Sequence, residues 1–129
     1  MPVSVRYIVD DVAAAMGFYC KHLGFSLEQD AAPAFASVTR GDLRLLLSGP
    51  GSSAARPMPD GRRPVPGGWT RILLIVDDLA AEVERLRAAG LRFRNDIVSG
   101  VGGSQVLLED PFGNPIELFQ PDHRAPLRL

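Results

Sequence analysis

One phrase occurs twice in this chain. Residues 8–19 read IVDDVAAAMGFY and residues 75–86 read IVDDLAAEVERL, an offset of 67 positions in a chain of 129. A repeat at that spacing is the mark of one structural unit written twice, so whatever the first copy folds into, the second must fold into as well.

The first copy begins with VSVRYIV, whose alternation sets Val5, Tyr7 and Val9 on one face of a strand and Ser4, Arg6 and Ile8 on the other. Asp11 follows as a helix cap, accepting backbone N–H bonds. Val12, Met16, Tyr19 and Leu23 then recur at helical spacing, and Gly24 is the stop. FSLEQ, AFASVT and LRLLLS read as three strands, with RGD at residues 40–42 turning between the last two. The second copy keeps this order. TRILLIV is a strand, Asp78 a cap, and Leu79, Val83 and Leu86 an apolar stripe that Gly90 ends. Glu82, Glu84, Arg85 and Arg87 form the solvated side of that helix. RFRNDIV, SQVLLE and IELFQ are three more strands, the last two joined by the turn DPFGN.

The predicted fold class is therefore α+β: two tandem βαβββ modules whose curved mixed sheets enclose a cleft. Module one spans residues 1–47 and module two residues 69–121, with a tail at 122–129. Residues 48–68, SGPGSSAARPMPDGRRPVPGG, are rich in Gly, Pro, Ser and Arg and lack an apolar period, as a linker or surface loop does. Such a linker is long enough for a module to pair with the other module of a second chain. The expectation is a homodimer, with exchange of modules open to it.

Composition narrows the function classes. At 13.9 kDa the chain is one domain, or two small halves that need each other. A net charge of −1 gives no electrostatic reason to expect nucleic acid. No apolar run approaches the ~20 residues of a membrane span. The start MPVSVRYIVDD lacks the basic and apolar regions of a signal peptide. The single cysteine, Cys20, allows no internal disulfide and no multi-cysteine zinc site, and reads as a small packing residue of the first helix. A cytoplasmic protein is expected.

A helix covers one face of each sheet, and the other face must be buried or used. On the first strands that other face carries Ser4, Arg6 and Ile8 in one module, and Trp69, Arg71, Leu73 and Ile75 in the second. The mixture of polar, charged and aromatic residues suits a cleft lining.

YIVDDVAAAMGFYCKHLGF, LIVDDLAAEVERLRAAGLRF and LLEDPFGNPIELFQP together resemble the signatures of the vicinal oxygen chelate superfamily, which includes glyoxalase I, bleomycin-resistance proteins, extradiol dioxygenases and fosfomycin-resistance enzymes. The resemblance implies a single domain of paired βαβββ modules over residues 1–129, dimeric assembly and a ligand site within each concave sheet. It does not select a function. In metal-dependent members, four strand positions hold His, Gln or Glu, which divalent metals favour. Counting seven residues back from each capping Asp gives Ser4 and Arg71. The Glu of IELF gives Glu117, and laying GDLRLLL over GNPIELF gives Leu45. Of these four only Glu117 is a competent ligand, and the Arg71 guanidinium repels cations. His22, near the end of the first helix, and His123, in the tail, fall at none of the positions and read as surface histidines. No metal and no other cofactor is expected.

Arg71 and Glu117 are expected on neighbouring strands facing one cleft. There the pair is either a structural ion pair or a polar contact for a ligand. A carboxylate engaged by a guanidinium makes a poor general base, and no residue is assigned a catalytic role. Trp69 either stacks on a planar ligand or anchors the linker. Leu43, Leu45 and Leu47, with Phe119, are expected as apolar cleft wall or as sheet-to-sheet packing. GVGG at residues 100–103 reads as a hairpin loop. The leading expectation is a metal-free protein that binds a small, partly aromatic natural product or drug, with Trp69, Arg71, Glu117, Ser4, Arg6, Leu45 and Phe119 as ligand contacts. The alternative is a lyase, isomerase or dioxygenase of the same superfamily with a divergent or absent metal site. A third reading is a purely structural dimer.

Overall fold

The structure, a computed structural model, describes residues 2–122. The chain forms two compact units that divide between Gly67 and Gly68. The first contains β1 (Val3–Ile8), α1 (Val12–His22), β2 (Ser26–Ala31), β3 (Phe35–Arg40) and β4 (Leu43–Ser48). Its sheet has the order β1-β4-β3-β2, with β1 and β4 parallel and the other pairs antiparallel. The second contains β5 (Ile72–Ile75), α2 (Leu79–Ala88), β6 (Arg92–Phe93), β7 (Val98–Gly100), β8 (Gly103–Glu109) and β9 (Pro115–Pro121). Its order, β5-β9-β8-β6 with β7 also on β8, repeats the first. The repeated phrase is thus two copies of one topology.

Both helices start where a carboxylate can satisfy their free amide donors. Asp11 accepts from Ala14 N at 3.0 Å and Asp78 from Ala81 N at 3.1 Å. Both are followed by a glycine at positive φ, Gly24 at 70° and Gly90 at 86°, which turns the chain back to the sheet at no steric cost. Alternation then sets the core. In the second unit Ile72, Leu74, Val106, Leu108, Ile116 and Leu118 are all buried, as are Leu79, Val83 and Leu86 of α2. In the first, Tyr7 and Val9 are buried with Leu45, Leu47, Val38 and Ala36, against Val12, Ala15, Phe18 and Tyr19 of α1. The stripe on α1 is wider than the predicted one, since Ala15 and Phe18 join it and Met16 is only half-buried.

The structure corrects Leu45. It was expected in the cleft, yet it pairs with Val5 and is fully buried on the helix side, as Leu47 is opposite Tyr7. The cause is the register of the parallel pair. The β3–β4 hairpin closes Arg40 against Leu43 across two residues, Gly41 and Asp42. The β8–β9 hairpin closes Glu109 against Pro115 across five, Asp110 to Asn114. In both hairpins the glycine lies two residues before the closing residue of the second strand, so matching glycines sets Leu45 on Glu117; β4, however, meets β1 one residue out of step with the way β9 meets β5, and a one-residue slip moves a side chain to the opposite face. Glu117 pairs with Leu73 and Leu46 with Arg6, so Leu46 is the counterpart of Glu117.

Three smaller differences follow from local bonding. RFRNDIV is not one strand: residues 94–97 stand opposite only Val106 and Leu107, and the excess chain bends out between β6 and β7. Asn95 Oδ1 accepts from Leu107 N at 2.9 Å, taking a bond that a continuous ladder would have made to backbone. Trp69 and Arg71 precede β5, which begins at Ile72. Ser48, taken as the start of the linker, ends β4, and the segment after it includes a short 3-10 helix, Ser53–Ala55. The GVGG stretch is a hairpin, Gly100 pairing with Gly103.

Candidate functional site

The face of the second sheet away from α2 carries the most chemistry. Strand parity puts Leu73 and Ile75 of β5, Glu117 and Phe119 of β9, and Gln105, Leu107 and Glu109 of β8 on it. The register aligns them in rows: Leu73, Glu117 and Leu107 in one, Ile75, Phe119 and Gln105 in the next.

Glu117 is 6% exposed, so it needs a partner. Arg71 supplies it from the lead-in to β5, where its Nε and Nη2 donate to the same oxygen, Glu117 Oε1, at 3.0 and 2.9 Å. Arg71 Nη1 also donates to the Trp69 carbonyl at 3.3 Å, tying the segment that carries the tryptophan to the pair. Hydrogen bonds between charged groups of this kind contribute ~1.5–3 kcal/mol each when they are desolvated.

A second pair was missed in the sequence. Arg94 donates through Nε to Glu109 Oε2 at 2.8 Å, through Nη1 to the Gly68 carbonyl at 2.7 Å, and through Nη2 to the Gly113 carbonyl at 2.9 Å. Its guanidinium lies over the Trp69 ring, 4.6 Å from the centroid. One arginine thus fastens the start of the unit and the β8–β9 turn together, with the indole on its plane. The indole is still 68% exposed, so Arg94 covers part of it and leaves the rest open. The parity of Glu109 with Leu107 was the signal available for this pair. Arg94 gave none, since it lies just beyond β6.

In the first unit Ser4 and Arg6 do lie on the face away from α1. Arg6 Nη1 donates to Ser48 Oγ at 2.9 Å, and Ser4 pairs with Arg44. Arg44 reaches Glu28 at 2.8 Å, and Ser37 Oγ donates to Glu28 Oε1 at 3.1 Å. Arg6 with Ser48, and Glu28 with Arg44 and Ser37, thus bond among themselves. Unit one also has a hollow of about 460 Å³ beside the start of α1, lined by Asp10, Asp11, Pro33 and Pro50 among others. Burial pushes the Cys20 thiol above its ordinary pKa, consistent with a packing residue and not with a reactive thiolate. His22 packs edgewise on Phe18, with ring centroids 5.7 Å apart. His123 lies outside the described residues.

The metal positions that the fold implies are Ser4 and Leu46 in the first unit and Arg71 and Glu117 in the second. This donor set does not fit a divalent cation: one leucine has no donor, one arginine is cationic, and the only carboxylate has an oxygen already engaged by two guanidinium N–H groups. Among the described residues no group of three or more His, Cys, Asp or Glu gathers elsewhere.

Two βαβββ units with an open, mixed-polarity sheet face define the class of protein. The family model for the Glyoxalase/Bleomycin resistance protein/Dioxygenase superfamily matches residues 2–118, and the chain belongs to that superfamily. Among solved structures it is similar to a member of the superfamily from Sphaerobacter thermophilus, with 28% identity and TM-score 0.76 over 93% of this chain and 96% of that one. It is also similar to TnmS3, an antibiotic-binding protein from a Streptomyces species, with 27% identity and TM-score 0.73 over 95% and 96%. A lactoylglutathione lyase from Agrobacterium tumefaciens, at 22% identity and TM-score 0.73 over 93% and 92%, shares the fold. No curated protein matches. None of the described helices is long and apolar enough to cross a membrane.

Proposed function

We propose that this is a metal-free binding protein that sequesters a small, partly aromatic natural product or drug. The carrying observation is Trp69: an indole backed by a guanidinium at 4.6 Å yet 68% exposed, tied through Arg71 to a buried carboxylate. A planar ligand would stack on the open part of the ring, while Phe119, Leu73 and Leu107 offer apolar contact and Arg71 and Glu117 polar contact. Ser4 and Arg6 remain proposed as polar ligand contacts on the open face of the first unit. Leu45 is withdrawn from the set. The similarity to an antibiotic-binding protein at 27% identity supports the reading. Sequestration needs no acid, base or metal, which suits a face whose ionic groups are already paired. The protein would act in the cytoplasm.

Trp69 is the only tryptophan, so its fluorescence reports on the site alone. Titration with a panel of planar natural products should quench or shift it, and Trp69→Ala should weaken binding by about 1–3 kcal/mol, the scale of a large lost contact. Ligands that bind without touching the fluorescence and tolerate Trp69→Ala would remove the tryptophan from the site. Stoichiometric metal that is lost with Glu117→Ala would replace this reading with the enzymatic one, a lyase, isomerase or dioxygenase.

A further inference from the structure

The carboxylate of Glu117 is used on one side only. Both Arg71 donors converge on Oε1. Oε2 accepts no hydrogen bond from any described residue, although the Glu117 side chain is only 8% exposed. The oxygen is not sealed in, because no fully buried side-chain oxygen or nitrogen among the described residues lacks a partner. It therefore opens onto the sheet face, with leucines on both sides of Glu117 in its row, Leu73 and Leu107. A carboxylate oxygen has two lone pairs to offer, and in such apolar surroundings each is worth more than in water. It is also an acceptor only, and a ligand group that arrives without a proton to give strands it.

We infer that Glu117 Oε2 receives a hydrogen bond from the ligand, so that the site selects planar aromatic molecules bearing a neutral or cationic O–H or N–H donor. This rests on the ligand-binding reading above and sharpens it. The arginine holds the carboxylate in place through Oε1. Trp69, linked to the same arginine through its carbonyl, holds the ring. An O-methylated or carboxylated ring meets the same oxygen with no donor or with a like charge, and is rejected for that reason. Discrimination of this sort is strong because it leaves a buried polar group unpaired instead of merely losing contact area.

The test compares 2-naphthol with its methyl ether, 2-methoxynaphthalene, by calorimetric titration of the full chain. Apolar burial alone favours the ether, which carries the extra methyl. We expect the wild-type protein to bind the naphthol about tenfold more tightly, the scale of one hydrogen bond to a charged acceptor. In Glu117→Gln the amide oxygen can keep Arg71 while an N–H₂ group replaces Oε2, turning the acceptor into a donor. The preference should vanish or reverse. Equal binding of the two probes to wild type, with both still weakened by Trp69→Ala, overturns the inference and leaves the binding reading in place. A naphthol preference that survives Glu117→Gln also overturns it. Binding of neither probe overturns both. The wild-type comparison needs no variant, so a poorly folding Gln form does not remove the test.

Discussion

At the scale of single residues, the Arg71–Glu117 pair is both a liability for the fold and the chemical centre of the face. Glu117 is nearly buried and Arg71 half-buried, with the Arg71 side chain 29% exposed. Removing the arginine strands a carboxylate among leucines, whereas removing both groups strands nothing. Arg71→Leu is expected to lower unfolding free energy by about 1–3 kcal/mol, read from the urea midpoint, and Arg71→Leu with Glu117→Leu to recover most of it. Ligand binding should stay lost in the double variant. A double variant that binds like wild type would make the pair a structural tie and nothing more.

At the scale of elements, the hairpin from β7 to β8 shows how closely backbone and site are fitted. A Cβ on Gly103 would collide with the Gln120 carbonyl oxygen and lie 2.9 Å from Phe119 Cζ. Gly100, its partner across the same turn, has nothing within 4 Å. Gly103→Ala must push β8 from β9 and displace the Phe119 ring, at a cost of about 1–3 kcal/mol. Gly100→Ala should stay within about 0.5 kcal/mol of wild type. Thermal unfolding of the two variants side by side checks this, and equal effects would mean that the hairpin tolerates separation. The bend at residues 94–97 has the same fitted character. Arg94, at its start, still donates its backbone N–H to the Leu107 carbonyl at 2.9 Å while its side chain holds Gly68, Gly113 and Glu109 at once.

At the scale of the whole molecule, each unit is a sheet with a helix on one face. Each also has an edge strand that pairs on one side within its own sheet, β1 with β4 in the first unit and β5 with β9 in the second. Edge strands and half-covered sheets are templates for further pairing. We expect a homodimer, with light scattering at micromolar concentration returning roughly twice the 13.9 kDa chain mass. A species of single-chain mass at that concentration would rule the dimer out. Exchange of modules through residues 48–68 is one way to build it.

Sequence alone determined whatever rests on neighbours in the chain. The Asp11 and Asp78 caps, the glycine stops and the alternation that buries Ile72 and Leu74 while turning Leu73 and Ile75 outward all act within a few residues, so they could be read without the fold. The repeat then carried the topology of one module to the other. Arg71 and Glu117 could be paired in advance because each has a fixed distance from a local landmark, one from the Asp78 cap and one from the DPFGN turn. What tertiary structure decided is register and reach. Leu45 changed faces because β4 meets β1 one residue out of step with the way β9 meets β5, and strand pairing, not composition, sets that register. Arg94 became a hub because its partners, at residues 68, 109 and 113, come within one guanidinium's span only after the sheet has formed. The one-sided use of Glu117 is of the same kind: composition supplies a carboxylate and a guanidinium, but only packing decides that both N–H groups meet the same oxygen.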